Sequence, residues 1–301
     1  MRPALRHLPR RAVRPTPPAP RPTLTAPLPS KSRPFTSTPP HNHNHTPSSA
    51  SVNETEISHF SALASSWWDP HGPSRPLHLM NPLRHDFIQR CLSTSPESTP
   101  SSFKLRYLDV GCGGGIFAES AARLPSTQSV TAIDPSPTIL AVAREHARRD
   151  PALVGSKGRL TYVNTTIEEL PLPEERSDRY DVVTLFEVLE HVDYPAAFLD
   201  RVGEFVRPGG WLVLSTIART WMSWFTTKLV AEDVLGMVPR GTHDWEKYVN
   251  EDELRGYFAK KGGQWGAPRV MGVVYVPGVG WREVTGSERI GNYFFGVQRL
   301  S

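Results

Sequence analysis

The segment with the clearest chemical meaning is rich in glycine and reads Leu108-Asp-Val-Gly-Cys-Gly-Gly-Gly115. Glycines between a strand and a helix let the backbone turn sharply and approach a ligand closely. Gly111, Gly113 and Gly115 follow the spacing G-x-G-x-G, whereas a dinucleotide fingerprint would need a third glycine at position 116, which is Ile116. Asp109 would also repel a pyrophosphate. The loop therefore favours a ligand that carries a cationic sulfonium and an amino-acid group.

A single acidic residue, Asp134, ends the next apolar run, Val130-Thr-Ala-Ile-Asp134. An acid at the end of a second parallel strand can accept hydrogen bonds from both hydroxyls of a ribose. After the third apolar run comes Thr166-Ile-Glu168, where an adenine edge would lie. A glycine turn with an unrelated surface aspartate is the alternative. The two features at this spacing favour an S-adenosylmethionine site and a methyltransferase.

Two carboxylates and an imidazole follow the fourth apolar run, at Glu187, Glu190 and His191. On a helical turn, positions i, i+3 and i+4 share one face, so the three side chains could hold one divalent cation. Such a ligand set suits Mg²⁺, and the imidazole would also allow Mn²⁺ or Zn²⁺. A metal beside a catechol would lower the pKa of its hydroxyl. Alternatively, His191 acts as a general base without a metal.

Short apolar runs alternate with helical patterns through the middle of the chain. This alternation predicts an α/β fold with a mostly parallel sheet, helices on both faces, and two late strands near 269–276 and 291–299 that form an antiparallel pair. An earlier helix is expected to begin at Asn81-Pro82. The strands are expected at 105–110, 130–133, 160–163, 182–186 and 211–216, and the helices at 116–124, 138–149, 196–206 and 251–261.

The first 53 residues differ in composition from the rest of the chain. They contain no Asp or Glu, seven Arg, one Lys and 13 of the 30 Pro. Without these eight basic residues, 26 Lys and Arg stand against 30 Asp and Glu, a net charge of −4, so the folded part is not expected to bind nucleic acid. Residues 1–45 are interpreted as a mitochondrial transit peptide; a Pro-rich disordered leader is the alternative.

Residues 219–245 interrupt the alternation after the fifth strand. Trp221, Phe225 and Leu229 recur at i, i+4 and i+8 with Lys228 beside them, which suits either a membrane interface or a lid that packs on the core. His243 in the same segment is a second candidate on the acceptor side, and a structural hydrogen-bonding role is its alternative. Elsewhere, two cysteines indicate no disulfide framework, and no apolar run is long enough to span a membrane.

Several further motifs are narrower than the glycine loop. The combination resembles the mitochondrial ubiquinone biosynthesis O-methyltransferase family, within the class I S-adenosylmethionine-dependent methyltransferases, over roughly residues 53–297. The motifs are Trp67-Trp-Asp69, Asn81-Pro-Leu-Arg84, Glu187-Val-Leu-Glu190-His191 and Gly241-Thr-His-Asp244.

The resemblance implies a Rossmann-like class I methyltransferase domain over 54–301, with seven mostly parallel strands and an antiparallel last strand. It implies methylation of catechol-type polyprenyl intermediates at two steps of ubiquinone synthesis. The expected setting is the matrix side of the mitochondrial inner membrane, as a peripheral protein within a biosynthetic complex. By position, S-adenosylmethionine would contact five residues, of which Arg84 would pair with the methionine carboxylate. They are Arg84, Gly111, Gly113, Asp134 and Phe186.

Three other functions compete with this interpretation. A methyltransferase for another small phenolic acceptor would not bind lipid. A nicotinamide reductase is disfavoured by Ile116 and by the lack of a Tyr-x-x-x-Lys pair in the sheet region. A non-catalytic scaffold predicts a damaged cofactor site, yet Gly111, Asp134 and Arg84 are all present.

Overall fold

The computed structural model describes residues 57–58, 61, 64–93, 104–155, 158–219 and 248–301. The predicted leader, residues 1–45, lies outside the described residues. So do His243 and all of the predicted insert except Arg219.

Within the described ranges, the sheet has eight strands in the order β3-β2-β1-β4-β5-β8-β6-β7. The first five strands pair in parallel, and β8 pairs antiparallel with both β5 and β6. The strands are β1 (Leu105–Val110), β2 (Thr127–Asp134), β3 (Leu160–Asn164), β4 (Tyr180–Phe186), β5 (Val206–Ile217), β6 (Arg269–Val276), β7 (Gly280–Glu283) and β8 (Asn292–Gln298). The predicted parallel sheet with its late antiparallel pair is confirmed. The additional strand, β7, is a four-residue hairpin partner of β6 that lacks an apolar run.

Among the residues described, five α-helices connect or cover the strands. They are α1 (Arg75–Leu92), α2 (Ile116–Arg123), α3 (Pro137–Ala147), α4 (Pro195–Glu204) and α5 (Glu251–Ala259). Helix α1 begins six residues before the predicted start at Asn81, because Pro76 occupies the first turn while Pro82 is accommodated inside the helix. In the described part of the chain, no helix has the length and hydropathy to cross a membrane.

Apolar side chains alternate along the strands and pack on both faces of the sheet. On β1, Tyr107 belongs to one buried cluster and Leu108 to the other; on β4, Val182 and Val183 divide in the same way. This alternation explains why the strands read as continuous apolar runs, as expected for a sheet covered on both sides.

The carboxyl ends of β1, β2 and β4 lie side by side. Val110 pairs with Ile133, and Asp109 pairs with Thr184. The glycine loop after β1, Asp134 at the end of β2 and Phe186 at the end of β4 therefore meet at one edge of the sheet, where open α/β sheets bind their ligands.

Candidate active site

The glycine loop turns back over the end of β2. The backbone N–H groups of Gly111 and Cys112 both donate to the carbonyl oxygen of Ile133, at 2.9 and 3.0 Å. Gly111, Gly113 and Gly115 have φ values of 70°, 52° and 86°, a left-handed conformation that strains any other residue. The loop thus needs glycine at each position of the predicted G-x-G-x-G spacing.

Asp134 fixes the shape of this loop. Its Oδ2 accepts from the backbone N–H of Gly113 at 3.0 Å, and its Oδ1 accepts from Ser136 at 2.9 Å. Burial raises the pKa of the carboxyl group, and the two backbone donors oppose that change. Each oxygen keeps a second lone pair, so the carboxylate can still accept hydrogen bonds from a ligand.

Arg84 reaches the same edge from α1. Its side chain is buried, and its guanidinium lies 4.7 Å from the centroid of the Phe186 ring. Burial lowers the pKa of Arg84, whereas the carboxylates of Glu187 and Asp109 act in the opposite direction. Among the described residues, Arg84 Nε has no hydrogen-bond partner. Arg84 and Phe186, which were both predicted to contact the cofactor, therefore lie together. Arg84 also has a buried donor that is available to an anion.

Asp109 lies beside Arg84 and is also buried. The hydroxyl of Thr184 donates to its Oδ1 at 2.7 Å. Burial raises the pKa of Asp109 to about 7, although Thr184 and Arg84 act to lower it. No sequence pattern singles out Thr184, because a threonine inside a strand is common and its role depends on the register between β1 and β4.

The segment from Glu187 to His191 differs from the predicted cation site. Glu187 has a φ of 57°, and only Leu189–His191 forms a turn, which is a 3₁₀ helix. The three side chains consequently do not share one α-helical face. Within the ranges that the structure describes, no three His, Cys, Asp or Glu side chains group closely enough to hold a metal ion.

The two carboxylates of this segment contact hydroxyl groups of β5 instead. Ser215 donates to Glu187 Oε1 at 2.6 Å, and Thr216 donates to Glu190 Oε2 at 2.8 Å. Burial, reinforced by the charge of Glu187, raises the pKa of Glu190, while His191 opposes the change. The segment thus carries two interacting carboxylates, and its Val188 lies against the glycine loop at Gly111.

Two tryptophans, which the sequence analysis did not assign to the site, cover the glycine loop. The indole of Trp67 packs on Gly113 and Gly114, and Trp68 Nε1 donates to the carbonyl oxygen of Gly114 at 2.9 Å. Trp67 lines the same cavity as Arg84 and Asp109. The Trp67-Trp-Asp69 motif was the available signal, but the sequence alone did not show which element it covers.

The fold is that of known methyltransferases. The plantazolicin methyltransferase BpumL in complex with SAH superposes with a TM-score of 0.53 at 15% identity, over 81% of this chain and 97% of that chain. A possible histamine N-methyltransferase from Thermotoga maritima gives 0.51 at 17% identity, over 80% of this chain and 99% of that one. A family model described as a methyltransferase domain matches residues 77–264. The fold and the glycine loop together define a class I methyltransferase with an S-adenosylmethionine site.

Proteins of similar sequence show to which family of methyltransferases the chain belongs. The mitochondrial ubiquinone biosynthesis O-methyltransferase of Candida albicans is 41% identical, over 83% of this chain and 86% of that protein. Its Schizosaccharomyces pombe counterpart is 44% identical, over 83% of this chain and 87% of that protein. The chain belongs to the ubiquinone biosynthesis O-methyltransferase family. Because these fungal relatives are mitochondrial, the chain is assigned to the mitochondrion.

Proposed function

We propose that this protein transfers the methyl group of S-adenosylmethionine to a hydroxyl of catechol-type polyprenyl hydroxybenzoate and benzoquinol intermediates in ubiquinone biosynthesis. The observation that carries the proposal is the meeting of the glycine loop, Asp134, Arg84 and Phe186 at one edge of the sheet, in a chain of this family.

On the donor side, the five predicted residues would hold the ribose and the methionine part of the cofactor, and Glu168 its adenine. Asp134 accepts hydrogen bonds from the ribose hydroxyls, and the guanidinium of Arg84 pairs with the methionine carboxylate. The backbone of Gly111 and Gly113 allows the cofactor to approach closely, and the Phe186 ring packs against the guanidinium of Arg84. Glu168 has a buried Oε2 without a partner among the described residues, which makes it the candidate acceptor for the adenine amino group.

On the acceptor side, the reaction is a displacement at carbon. The methyl group of S-adenosylmethionine is already activated by its bond to a sulfonium. The catechol oxygen forms a bond to the methyl carbon while the sulfur–carbon bond breaks, which leaves S-adenosylhomocysteine and a methyl ether. Without a bound cation, His191 accepts the hydroxyl proton as general base, with His243 as the second candidate. Positioning of the two reactants supplies most of the rate enhancement.

A divalent cation forms the finer part of the proposal. Glu187, Glu190 and His191 offer two carboxylates and an imidazole, which suit Mg²⁺ by type, although the three side chains are not grouped closely enough in this structure to hold it. Burial and, after it, repulsion by Glu187 raise the pKa of Glu190, and a cation between the carboxylates would relieve the repulsion. Binding would require a rearrangement of the segment, in which the hydroxyls of Ser215 and Thr216 now hold one oxygen of each carboxylate. When bound, the cation would lower the pKa of the catechol hydroxyl.

The cation can be tested apart from activity by calorimetric titration of the full chain with Mg²⁺. Glu190→Gln should abolish the binding heat, and Glu283→Gln, which alters a surface pair with Arg90, should leave it unchanged. No heat with the unaltered chain would remove the metal from the proposal.

The same proposal includes the location of the enzyme in the cell and its association with a membrane. Residues 1–45 serve as the transit peptide, and the protein associates peripherally with the matrix side of the inner membrane as a member of a biosynthetic complex. Residues 219–245 provide the membrane contact or lid. A polyprenyl tail partitions into a bilayer, which gives such a segment a purpose.

The proposal is tested by the acceptor that the full chain methylates. S-adenosylmethionine is supplied with a short-tailed 3,4-dihydroxy-5-polyprenylbenzoate or with untailed 3,4-dihydroxybenzoate, in the presence of liposomes, and products are followed by mass. Methylation of the tailed acceptor, with a higher kcat/KM than the untailed one, is the expected result. Equal use of both would favour a soluble phenolic acceptor instead.

A further inference from the structure

The indole ring of Trp67 packs against the backbone of the glycine loop at Gly113 and Gly114. A Cβ atom on Gly113 would lie 2.5 Å from Trp67 Cζ2, and one on Gly114 would lie 2.6 Å from Nε1. Both distances are far shorter than an ordinary van der Waals contact, so a side chain would not fit between the indole and the loop. The indole therefore lies directly on the peptide groups of the loop. The ring is therefore part of the wall of the cofactor site.

The indole N–H of Trp67 donates to no other residue in the part of the chain that the structure describes. The side chain is 9% exposed, and Nε1 is buried without a hydrogen-bond partner among the described residues. An unpaired buried donor of this kind destabilises the ligand-free protein, because its lost hydration is not replaced. Arg84, 4% exposed, has a second unpaired buried donor at Nε. Both residues line one cavity, together with the carboxylate of Asp109.

The position of the indole is fixed by its neighbours. The carbonyl oxygen of Trp67 lies 2.9 Å from His78 Nε2. The adjacent Trp68 donates to Gly114 and stacks on His146, with ring centroids 3.4 Å apart and an angle of 5° between the planes. His146 Nδ1 lies 2.9 Å from the fully buried Glu119. The donor is thus in place before any ligand arrives, which lowers the entropic cost of binding.

We propose that Trp67 is a cofactor-binding residue, whose indole N–H donates a hydrogen bond to the carboxylate of the methionine part of S-adenosylmethionine, beside Arg84. Two buried donors that have no acceptor among the described residues match the oxygens of one carboxylate. Asp109 offers the matching acceptor for the ammonium group. This inference rests on the S-adenosylmethionine site proposed above.

Two ligands separate the role of Trp67 from general packing. S-adenosylhomocysteine carries the carboxylate and ammonium groups, whereas 5′-methylthioadenosine lacks both. We expect Trp67→Phe, which keeps an aromatic ring without the N–H, to weaken S-adenosylhomocysteine binding by calorimetry about 10- to 100-fold, as for loss of a hydrogen bond to a charged group. Binding of 5′-methylthioadenosine should be unchanged.

Two further variants make the outcome decisive. Trp281→Phe removes an indole that donates to Pro76, outside the cavity, and should bind both ligands normally. Arg84→Gln should also lose S-adenosylhomocysteine selectively. If Arg84→Gln binds normally, the proposed cofactor site itself fails. If Arg84→Gln loses the ligand and Trp67→Phe does not, only the role of Trp67 fails.

Equal weakening of both ligands by Trp67→Phe would also overturn the inference, since packing alone would explain it. The unaltered full chain provides a second test that no folding defect can obscure. With ¹⁵N-labelled tryptophan, the Trp67 indole N–H resonance should shift when S-adenosylhomocysteine binds and shift much less with 5′-methylthioadenosine. The same shift with both ligands contradicts a bond to the carboxylate.

Discussion

Replacement of Gly114 by alanine tests the contact between Trp67 and the glycine loop. The added Cβ would lie 2.6 Å from Trp67 Nε1 and closer still to Cδ1 and Cγ. Because ordinary contacts between carbon atoms lie at about 3.5–4.0 Å, the ring would have to move by roughly an ångström. Overpacking of this kind costs about 1–3 kcal/mol. Gly114→Ala should lower the free energy of unfolding by that amount in urea denaturation.

The cost should depend on the indole. In a Trp67→Ala background the Cβ meets no ring, so Gly114→Ala should be neutral or stabilise the fold by a few tenths of a kcal/mol, up to about 1. Gly256→Ala is the matched control, since Gly256 lies in α5 with no atom near its Cβ position, and it should stabilise the helix by about 0.5–1 kcal/mol. An equal cost of Gly114→Ala in both backgrounds would refute the contact.

Three predictions concern the charged groups of the cofactor site, and calorimetric titration with S-adenosylhomocysteine checks each. The ammonium of the ligand favours ionised Asp109, whose pKa is about 7 without ligand, so affinity should increase as pH rises from about 6 to about 8; a flat profile that matches Asp109→Asn would contradict this. Thr184→Val removes a donor that lowers the pKa of Asp109 and should move the midpoint of the pH profile upward; an unchanged midpoint counts against that hydrogen bond. Asp134→Asn should weaken S-adenosylhomocysteine and 5′-methylthioadenosine alike, by about 10- to 100-fold, since both contain the ribose; selective loss of one ligand would argue against the ribose contact.

The succession of strands and helices along the chain and the position of the glycine loop could be predicted from local patterns. Apolar runs, glycines at G-x-G-x-G and an acid at the end of β2 are each visible within a few residues. In a parallel sheet, strand ends meet at one edge, so Asp134 and the glycine loop had to be neighbours.

Features that depend on contacts between distant segments could not be predicted in this way. The hydrogen bond between Thr184 and Asp109 requires the register of β1 against β4. The packing of Trp67 and Trp68 on the glycine loop joins segments that are far apart in the chain. The Trp68–Gly114 hydrogen bond, for example, links residues 46 positions apart.

The acidic segment after β4 shows the limit of periodicity. The spacing of Glu187, Glu190 and His191 indicates a shared face only on an α-helix. The left-handed backbone at Glu187 breaks that pattern, and the hydroxyls of Ser215 and Thr216 then hold the carboxylates. A non-glycine residue with positive φ gives no clear signal in sequence.

The central claim, that this chain methylates ubiquinone precursors with S-adenosylmethionine, is tested most directly by replacement of a relative. The full chain is expressed in Schizosaccharomyces pombe that lacks its own ubiquinone biosynthesis O-methyltransferase, and ubiquinone is measured by mass spectrometry. Restored ubiquinone, absent with the Asp134→Ala chain at equal abundance, is the predicted result. No ubiquinone from a chain that accumulates in mitochondria and binds S-adenosylhomocysteine would contradict the claim.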